Sequence, residues 1–241
     1  MANGGIMTSS VVSGMLRATR PHFLWAYLVF SLGGIVIGLI GEAAALGLRY
    51  AVFSIITVII CAIGVHFRDE YADWVDGFDS EHGGAGVIRE GLVAPSTLRR
   101  WGVVFTLAGI AMVLVHTFLV PQLLIVAVPS IIVIIWPNYL TERITLGHEI
   151  FTAFSYWAAT LWVYLGQGWA LSMPVLLYSL FSFMIALAFI PYQDIGDYAV
   201  DKKNGKKTLT VRLGVEHIAN LSIMIGILSL LVLYGVLLTL P

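Results

Sequence analysis

The sequence predicts an all-α fold: a multi-pass membrane bundle of about seven transmembrane helices around a central cavity open to the cytoplasmic side. Three observations carry this expectation. Hydrophobic residues make up 59% of the 241 and charged residues only 11%, for a mean hydropathy of +0.92, far too little polar surface to cover a soluble globule. The apolar residues fall into runs close to the length a helix needs to cross a bilayer. The few charges gather between particular runs instead of spreading along the chain.

Taken in order, the runs lie at 23–40, 50–67, 101–120, 121–136, 149–166, 170–192 and 217–240. The fourth and fifth are short, and Pro121 ends a helix without needing an amide donor, which allows a tight hairpin between the third and fourth. Residues 1–16 lack the charged start and long apolar centre of a cleaved signal, so the first membrane helix is expected to stay. The one cysteine, Cys61, lies inside an apolar run and reads as packing. One membrane domain over 1–241 is the economical organisation, with motif-bearing loops at 66–100 and 193–214.

Basic residues assign the sides. Arg17 and Arg20 precede the first span, Arg68, Arg89, Arg99 and Arg100 lie between the second and third, and Arg143 lies between the fourth and fifth. Lys202, Lys203, Lys206, Lys207 and Arg212 follow the sixth, so 12 of 13 basic residues share one side and only Arg49 lies opposite. By the positive-inside rule the crowded side, with the N-terminus and both motif loops, is cytoplasmic. In this arrangement the protein sits in the cell membrane among lipid, and nucleic acid is not an expected partner.

Two acidic runs on that side carry the chemistry. DEYADWVDGFD, from Asp69, sets Asp69, Asp73 and Asp76 on one helical face at i, i+4, i+7, and DIGDYAVD sets Asp194, Asp197 and Asp201 on another at i, i+3, i+7. Acid and base runs at membrane edges are ordinarily solvated loops, but matched spacing on the same side sets this pair apart. From His66 to His82 the formal charge is −5, at a helix C-terminus whose dipole also repels anions. Divalent cations relieve both penalties, and magnesium suits clustered carboxylates that share a ligand's phosphates. The second run continues into KKNGKK, so acid and base side by side suit metal and diphosphate together. A transporter or channel using the stripes as a gate stays open at this point, although the spans carry almost no ionisable residues. A CDP-alcohol phosphatidyltransferase needs an alanine-arginine pair after Asp76-Gly77, where Phe78 and Asp79 stand instead.

DIGDYAVDKKNGKKTLTVRLG, from Asp194 to Gly214, closely resembles the second signature of the UbiA-type intramembrane prenyltransferases. Its aspartate pair maps to Asp197 and Asp201, with Asp194 an additional acid. DEYADWVDGFDSEHGGAGVIREGLVAP resembles the first signature, NDxxD, in the longer form found in the dihydroxynaphthoate, menaquinone-pathway branch. Asp73, Gly77, Asp79, Gly91 and Leu92 match. Asp69 stands for the usual asparagine, Glu70 for the usual aspartate, and Gly86 stands where the branch commonly has an arginine. LGHE, from Leu146, is similar to a GLGE element of that branch.

The resemblance implies a magnesium-dependent enzyme that transfers a polyprenyl group from an allylic prenyl diphosphate to a lipophilic, naphthoate-like aromatic acceptor. A glycerol-phosphate lipid acceptor, or cyclisation, is the alternative within the superfamily. Asp73, Asp197 and Asp201 are then catalytic, and Asp69, Asp73, Asp194, Asp197 and Asp201 hold magnesium. Arg20, Arg68, Lys202, Lys206 and Lys207 grip the diphosphate, and Tyr139 faces the acceptor or the allyl cation. Family members usually carry nine spans, so two C-terminal helices are expected to be missing. His66, His82, His116 and His148 show no metal-ligand spacing, and His116 reads as a hydrogen-bonded interior residue.

Overall fold

The computed structural model describes residues 9–40, 48–77, 84–136 and 141–241, and among these it contains helices and no strand. In chain order the helices are α1 (Ser9–Ala18), α2 (Pro21–Ile40), α3 (Ala51–Asp76), α4 (Pro95–Leu119), α5 (Leu124–Ile135), α6 (Gly147–Leu165), α7 (Met173–Gln193), α8 (Tyr198–Lys203), α9 (Leu209–Leu213) and α10 (Val215–Thr239). The seven predicted spans correspond to α2 to α7 and α10. Five of them, α2, α3, α4, α7 and α10, are long and apolar enough to cross a membrane by themselves. The predicted hairpin at Pro121 is a 3₁₀ turn, Pro121–Leu123, leading into α5.

Packing explains how short or polar elements hold their places. Along α3 and α4 the backbones approach closely: a Cβ on Gly64 would lie 2.8 Å from the Thr106 nitrogen, and one on Gly109 would lie 2.7 Å from Cys61 Sγ. Small residues allow this in a lipid setting, where dispersion contacts between helices replace a hydrophobic drive. Twelve residues of α5 cover only about 18 Å at the usual rise, and its last carbonyls are met by Arg68. That guanidinium donates to the carbonyls of Ile134 (2.5 Å), Ile135 (2.9 Å) and Trp136 (3.4 Å), as a cation at a helix C-terminus favours. α10 lies along α7.

Two features depart from the sequence expectation. Helix α1 had no predicted counterpart; it tucks Gly14 and Ala18 against the loop after α3, and Arg17 forms a two-pronged ion pair with Glu90 at 2.6 and 2.8 Å. The second acidic stripe is not one continuous helical face. The amides of residues 195–197 bond to carbonyls three residues back, a tightened turn between α7 and α8, so Asp194 ends α7, Asp197 precedes α8 and Asp201 lies within it. The first stripe is helical throughout, because α3 runs on to Asp76 and ends only where Gly77 takes a left-handed φ of 82°.

Candidate active site

α3 runs upward to its acidic end, α2 begins at that same end, and α7 finishes there. For α2 this follows from the contacts of Arg20, just before it, whose guanidinium lies 2.8 Å from Asp69, 3.6 Å from Glu70 and 3.9 Å from Asp73; for α7 it follows from Gln193 and Asp194, which line the same cavity as Asp69 and Asp73. Arg20 reaches them from a left-handed φ of 51° between α1 and α2, a backbone state that disfavours a side chain. Below this end lies one cavity of about 590 Å³, within the size range of small-molecule sites. Asp69, Asp73, Asp194, Asp197, Asp201, Arg20 and Lys206 all line it, so the two acidic sets, more than 120 residues apart in sequence, converge on a shared mouth.

Lys206 joins the two sides. Its Nζ lies 2.9 Å from Glu142 and 3.4 Å from Asp201, and its charge is also felt by Asp73. Burial alone would lower the lysine pKa, but Glu142, Asp73 and Asp201 together hold it above its ordinary value. The Lys207 amide, in turn, donates to the Glu142 carbonyl at 2.7 Å, which fixes the basic loop against the segment before α6. Six carboxylates and three permanent cations, Arg17, Arg20 and Lys206, line the cavity among the described residues, an anionic excess that favours a cationic guest.

Burial pushes the Asp194 carboxyl up to about 7, with His148 opposing and Asp201, Glu149 and Glu142 adding to the rise. Burial likewise raises Asp201 and Glu142, each partly offset by Lys206. Asp194 Oδ2 is buried without a hydrogen-bond partner among the described residues, a costly state for a carboxylate oxygen unless a cation meets it. His148 Nε2 stands 4.0 Å from its other oxygen. Hard carboxylate oxygens around an orphaned one are the donor set magnesium takes. No three candidate ligands are gathered at metal-binding distance among the described residues; the carboxylates are arranged around Arg20 and Lys206.

The deeper cavity is apolar and aromatic. Phe23, Tyr27, Phe151, Phe154, Tyr156 and Trp162 face it. Tyr27 and Tyr156 stack at 4.4 Å, and the Tyr27 hydroxyl shares a 2.5 Å hydrogen bond with Ser155.

Residues 27–241 match the UbiA prenyltransferase family. The chain belongs to that family. Among solved structures it is similar to a UbiA homologue from Archaeoglobus fulgidus bound to GPP and Mg2+, at 16% identity and a TM-score of 0.73, covering 93% of this chain and 78% of that one. The same homologue bound to DMAPP and Mg2+ gives the same identity and score, covering 93% and 77%. A structure of digeranylgeranylglyceryl phosphate synthase in membranes is similar at 16% identity and a TM-score of 0.63, covering 92% and 76%. No curated protein sequence matches the chain.

Within this UbiA chain the second signature divides into two parts. Its aspartates and Lys206 face the cavity, while TLTVRLG is a clamp. Thr210 Oγ1 donates to the Pro191 carbonyl at 2.7 Å, the Leu209 amide donates to Glu149 Oε1 at 2.5 Å, and Arg212 donates to Thr145 Oγ1. The clamp therefore ties the end of α7 to the start of α6, and Glu149 of LGHE is its buried acceptor. Glu70 has a similar part in the first signature: fully buried, it accepts the Ala85 amide at 2.6 Å and the Val87 amide at 3.1 Å, folding the glycine-rich segment down.

Not every predicted residue joins the site. Arg68, expected at the diphosphate, does not line the cavity; its guanidinium donates to three backbone carbonyls at the end of α5. Lys202 and Lys207 are exposed and do not line the cavity; Lys202 instead donates to the Tyr198 hydroxyl at 3.1 Å. Asp76 turns toward Arg143 at 3.5 Å. Tyr139, Asp79 and His82 lie outside the described residues. Sequence reasoning missed Glu142 and passed over His148; the adjacency of Glu142 to a conspicuous LGHE run was the only available signal. His116 is the interior residue expected, its Nε2 bonded to the Gly166 carbonyl at 3.1 Å.

Proposed function

We propose that this protein transfers a prenyl group from an allylic prenyl diphosphate to a lipophilic acceptor at the cytoplasmic face of a membrane. The observation that carries the reading is a single cavity with a carboxylate-rich mouth and an aromatic interior. Asp69, Asp73, Asp194, Asp197 and Asp201 hold magnesium, which when bound supplies the positive charge that the departing diphosphate needs. Arg20 and Lys206 contact the diphosphate oxygens. The allylic C1–O bond breaks with its electron pair leaving on the diphosphate. The electron-rich rings of Tyr27, Phe23 and Tyr156 line the wall beside the allyl cation and stabilise it, and their bulk keeps water from it.

The acceptor is an aromatic quinone precursor of the naphthoate type. A flat ring fits the aromatic wall, its carbon forms the new bond to the cation, and loss of a proton restores its aromaticity. A second reading, a glycerol-phosphate lipid acceptor, is favoured by the likeness to digeranylgeranylglyceryl phosphate synthase. Purified protein with magnesium, labelled geranylgeranyl diphosphate and a panel of naphthoate, hydroxybenzoate and glycerol-phosphate acceptors tests both. Prenylated naphthoate is the expected product, prenylated glycerol phosphate would replace the first reading by the second, and no product would overturn both. Asp73→Ala and Asp197→Ala are expected to abolish turnover while remaining folded; near-normal turnover in either would remove the assigned roles.

A further inference from the structure

Arg20 is fixed through its backbone as well as its side chain. Its φ of 51° is a left-handed state that is unfavourable for a residue with a Cβ and persists only where the surroundings over-determine it. Two peptide planes meet at its Cα, and both are held. In the plane that follows, the Arg20 carbonyl accepts the amides of Phe23 at 2.9 Å and Leu24 at 3.4 Å, in the first turn of α2. In the plane that precedes, the Arg20 amide donates to the Arg17 carbonyl at 3.0 Å, and the Thr19 carbonyl turns to α3.

Among the described residues no backbone amide meets that Thr19 carbonyl. α1 ends at Ala18, Pro21 has no amide to offer, and the amides of Phe23 and Leu24 are committed to Arg20. His66 of α3 takes the place of a backbone donor, with Nδ1 2.7 Å from the Thr19 oxygen. A carbonyl only accepts, so Nδ1 carries the proton and donates. His66 is 8% exposed, with the Phe23 ring at 5.7 Å, and lies three residues before Asp69. One short bond therefore sets the plane of the 19–20 peptide from the same helix that presents Asp69, Glu70 and Asp73 to the guanidinium.

We propose that His66 is a positioning residue for the donor diphosphate: by holding the Thr19 carbonyl it keeps Arg20 in the left-handed state from which its guanidinium reaches the cavity mouth. The inference rests on the proposed function, in which Arg20 contacts the diphosphate, and adds how that contact is set before the donor arrives. Without the Nδ1–H the Thr19 carbonyl loses its partner, and Arg20 relaxes toward the extended backbone that the residue before a proline prefers. Its side chain then leaves the direction of the mouth. His66 also lines the cavity, so direct contact with the donor is the competing role.

The test is a double-mutant cycle read by calorimetric binding of geranyl thiolodiphosphate, which resists ionisation, to the full chain in lipid nanodiscs with magnesium. Arg20→Ala is expected to weaken binding about 10- to 100-fold. His66→Ala should weaken it about tenfold in the wild-type background and not at all beside Arg20→Ala, because a residue acting through Arg20 then has nothing left to position. His66→Asn should restore near wild-type affinity, since its amide nitrogen is as many bonds from Cα as Nδ1. His66→Gln, with its amide one bond farther out, should stay about tenfold weaker. Equal weakening by His66→Ala in both backgrounds would make His66 a direct donor contact, and unchanged affinity in a folded His66→Ala would leave it no part in donor binding. Either result overturns the inference and leaves the proposed function standing. Should His66→Ala not fold, equal affinities in His66→Asn and His66→Gln decide against the inference. Undiminished binding in Arg20→Ala overturns it together with the diphosphate contact of Arg20, and a wild type that binds no analogue overturns the proposed function as well.

Discussion

Two cations that look alike in the sequence have different duties. Lys206 stands among Glu142, Asp201 and the field of Asp73 at the cavity mouth, whereas Arg68 is spent on three carbonyls at the end of α5. If Lys206 holds the diphosphate as proposed, Lys206→Ala removes a charge-assisted contact worth about 1.5–3 kcal/mol and should lower kcat/KM for the donor about 10- to 100-fold in steady-state assays. Arg68→Ala should instead lower stability by about 1–2 kcal/mol, the scale of a cation at a helix C-terminus, with the donor KM within about twofold of wild type. Thermal melts and donor titrations separate the two. A large rise in KM for Arg68→Ala at unchanged Tm would return Arg68 to the diphosphate.

At the scale of elements, the clamp from Thr208 to Gly214 explains why a family signature continues past its aspartates. Glu149 is fully buried at the start of α6 and accepts the Leu209 amide, so Glu149→Ala strands a backbone donor, at about 1–3 kcal/mol. Lys206 lies three residues before Leu209, so its seat should loosen too. The expected outcome is a lower Tm together with weaker donor binding, both largely rescued in Glu149→Gln, which keeps the acceptor oxygen. A drop in Tm with donor affinity intact would show that the clamp stabilises without positioning.

The spans were legible because hydropathy is a local property: each of the seven apolar runs became a helix within a few residues of its expected bounds, apart from the acidic extension of α3 and the early start of α4 at Pro95. The aspartates that line the candidate site stood out in the sequence for the same reason, being set by spacing along one segment. What escaped depended on partners distant in the chain. Nothing near Arg68 reveals that α5 will end beside it, and nothing near Glu142 reveals that Lys206 will arrive from 64 residues away. The bend in the second stripe escaped because an i, i+3, i+7 pattern fits a helix and a tight turn followed by a helix equally well. Glu70 and Glu149 read as members of acidic motifs, yet their burial assigns them to the backbone.

For the whole molecule, the bundle places an anionic mouth at one end of an apolar slot, and the cost of that charge enters its stability. Asp194 carries a pKa near 7 against an ordinary 3.8, raised first by burial, and burial raises Asp201 and Glu142 in the same direction. The folded chain therefore keeps protons that the unfolded chain releases between about pH 4 and pH 7. Stability falls as pH rises through that window and levels off above it. Lys206 shifts upward from 10.5, so its contribution is fully present throughout that window and is lost only at far higher pH. Magnesium held by the aspartates as proposed would compete with the retained protons, so it would bind more tightly as they leave and would stabilise the fold by mass action. The rise in Tm on adding magnesium should accordingly be larger at pH 8 than at pH 5.5, and Asp194→Asn should narrow that difference. Melting curves with and without chelator at the two pH values measure it. A magnesium effect of equal size at both would mean that the ion is held by groups other than these buried carboxylates.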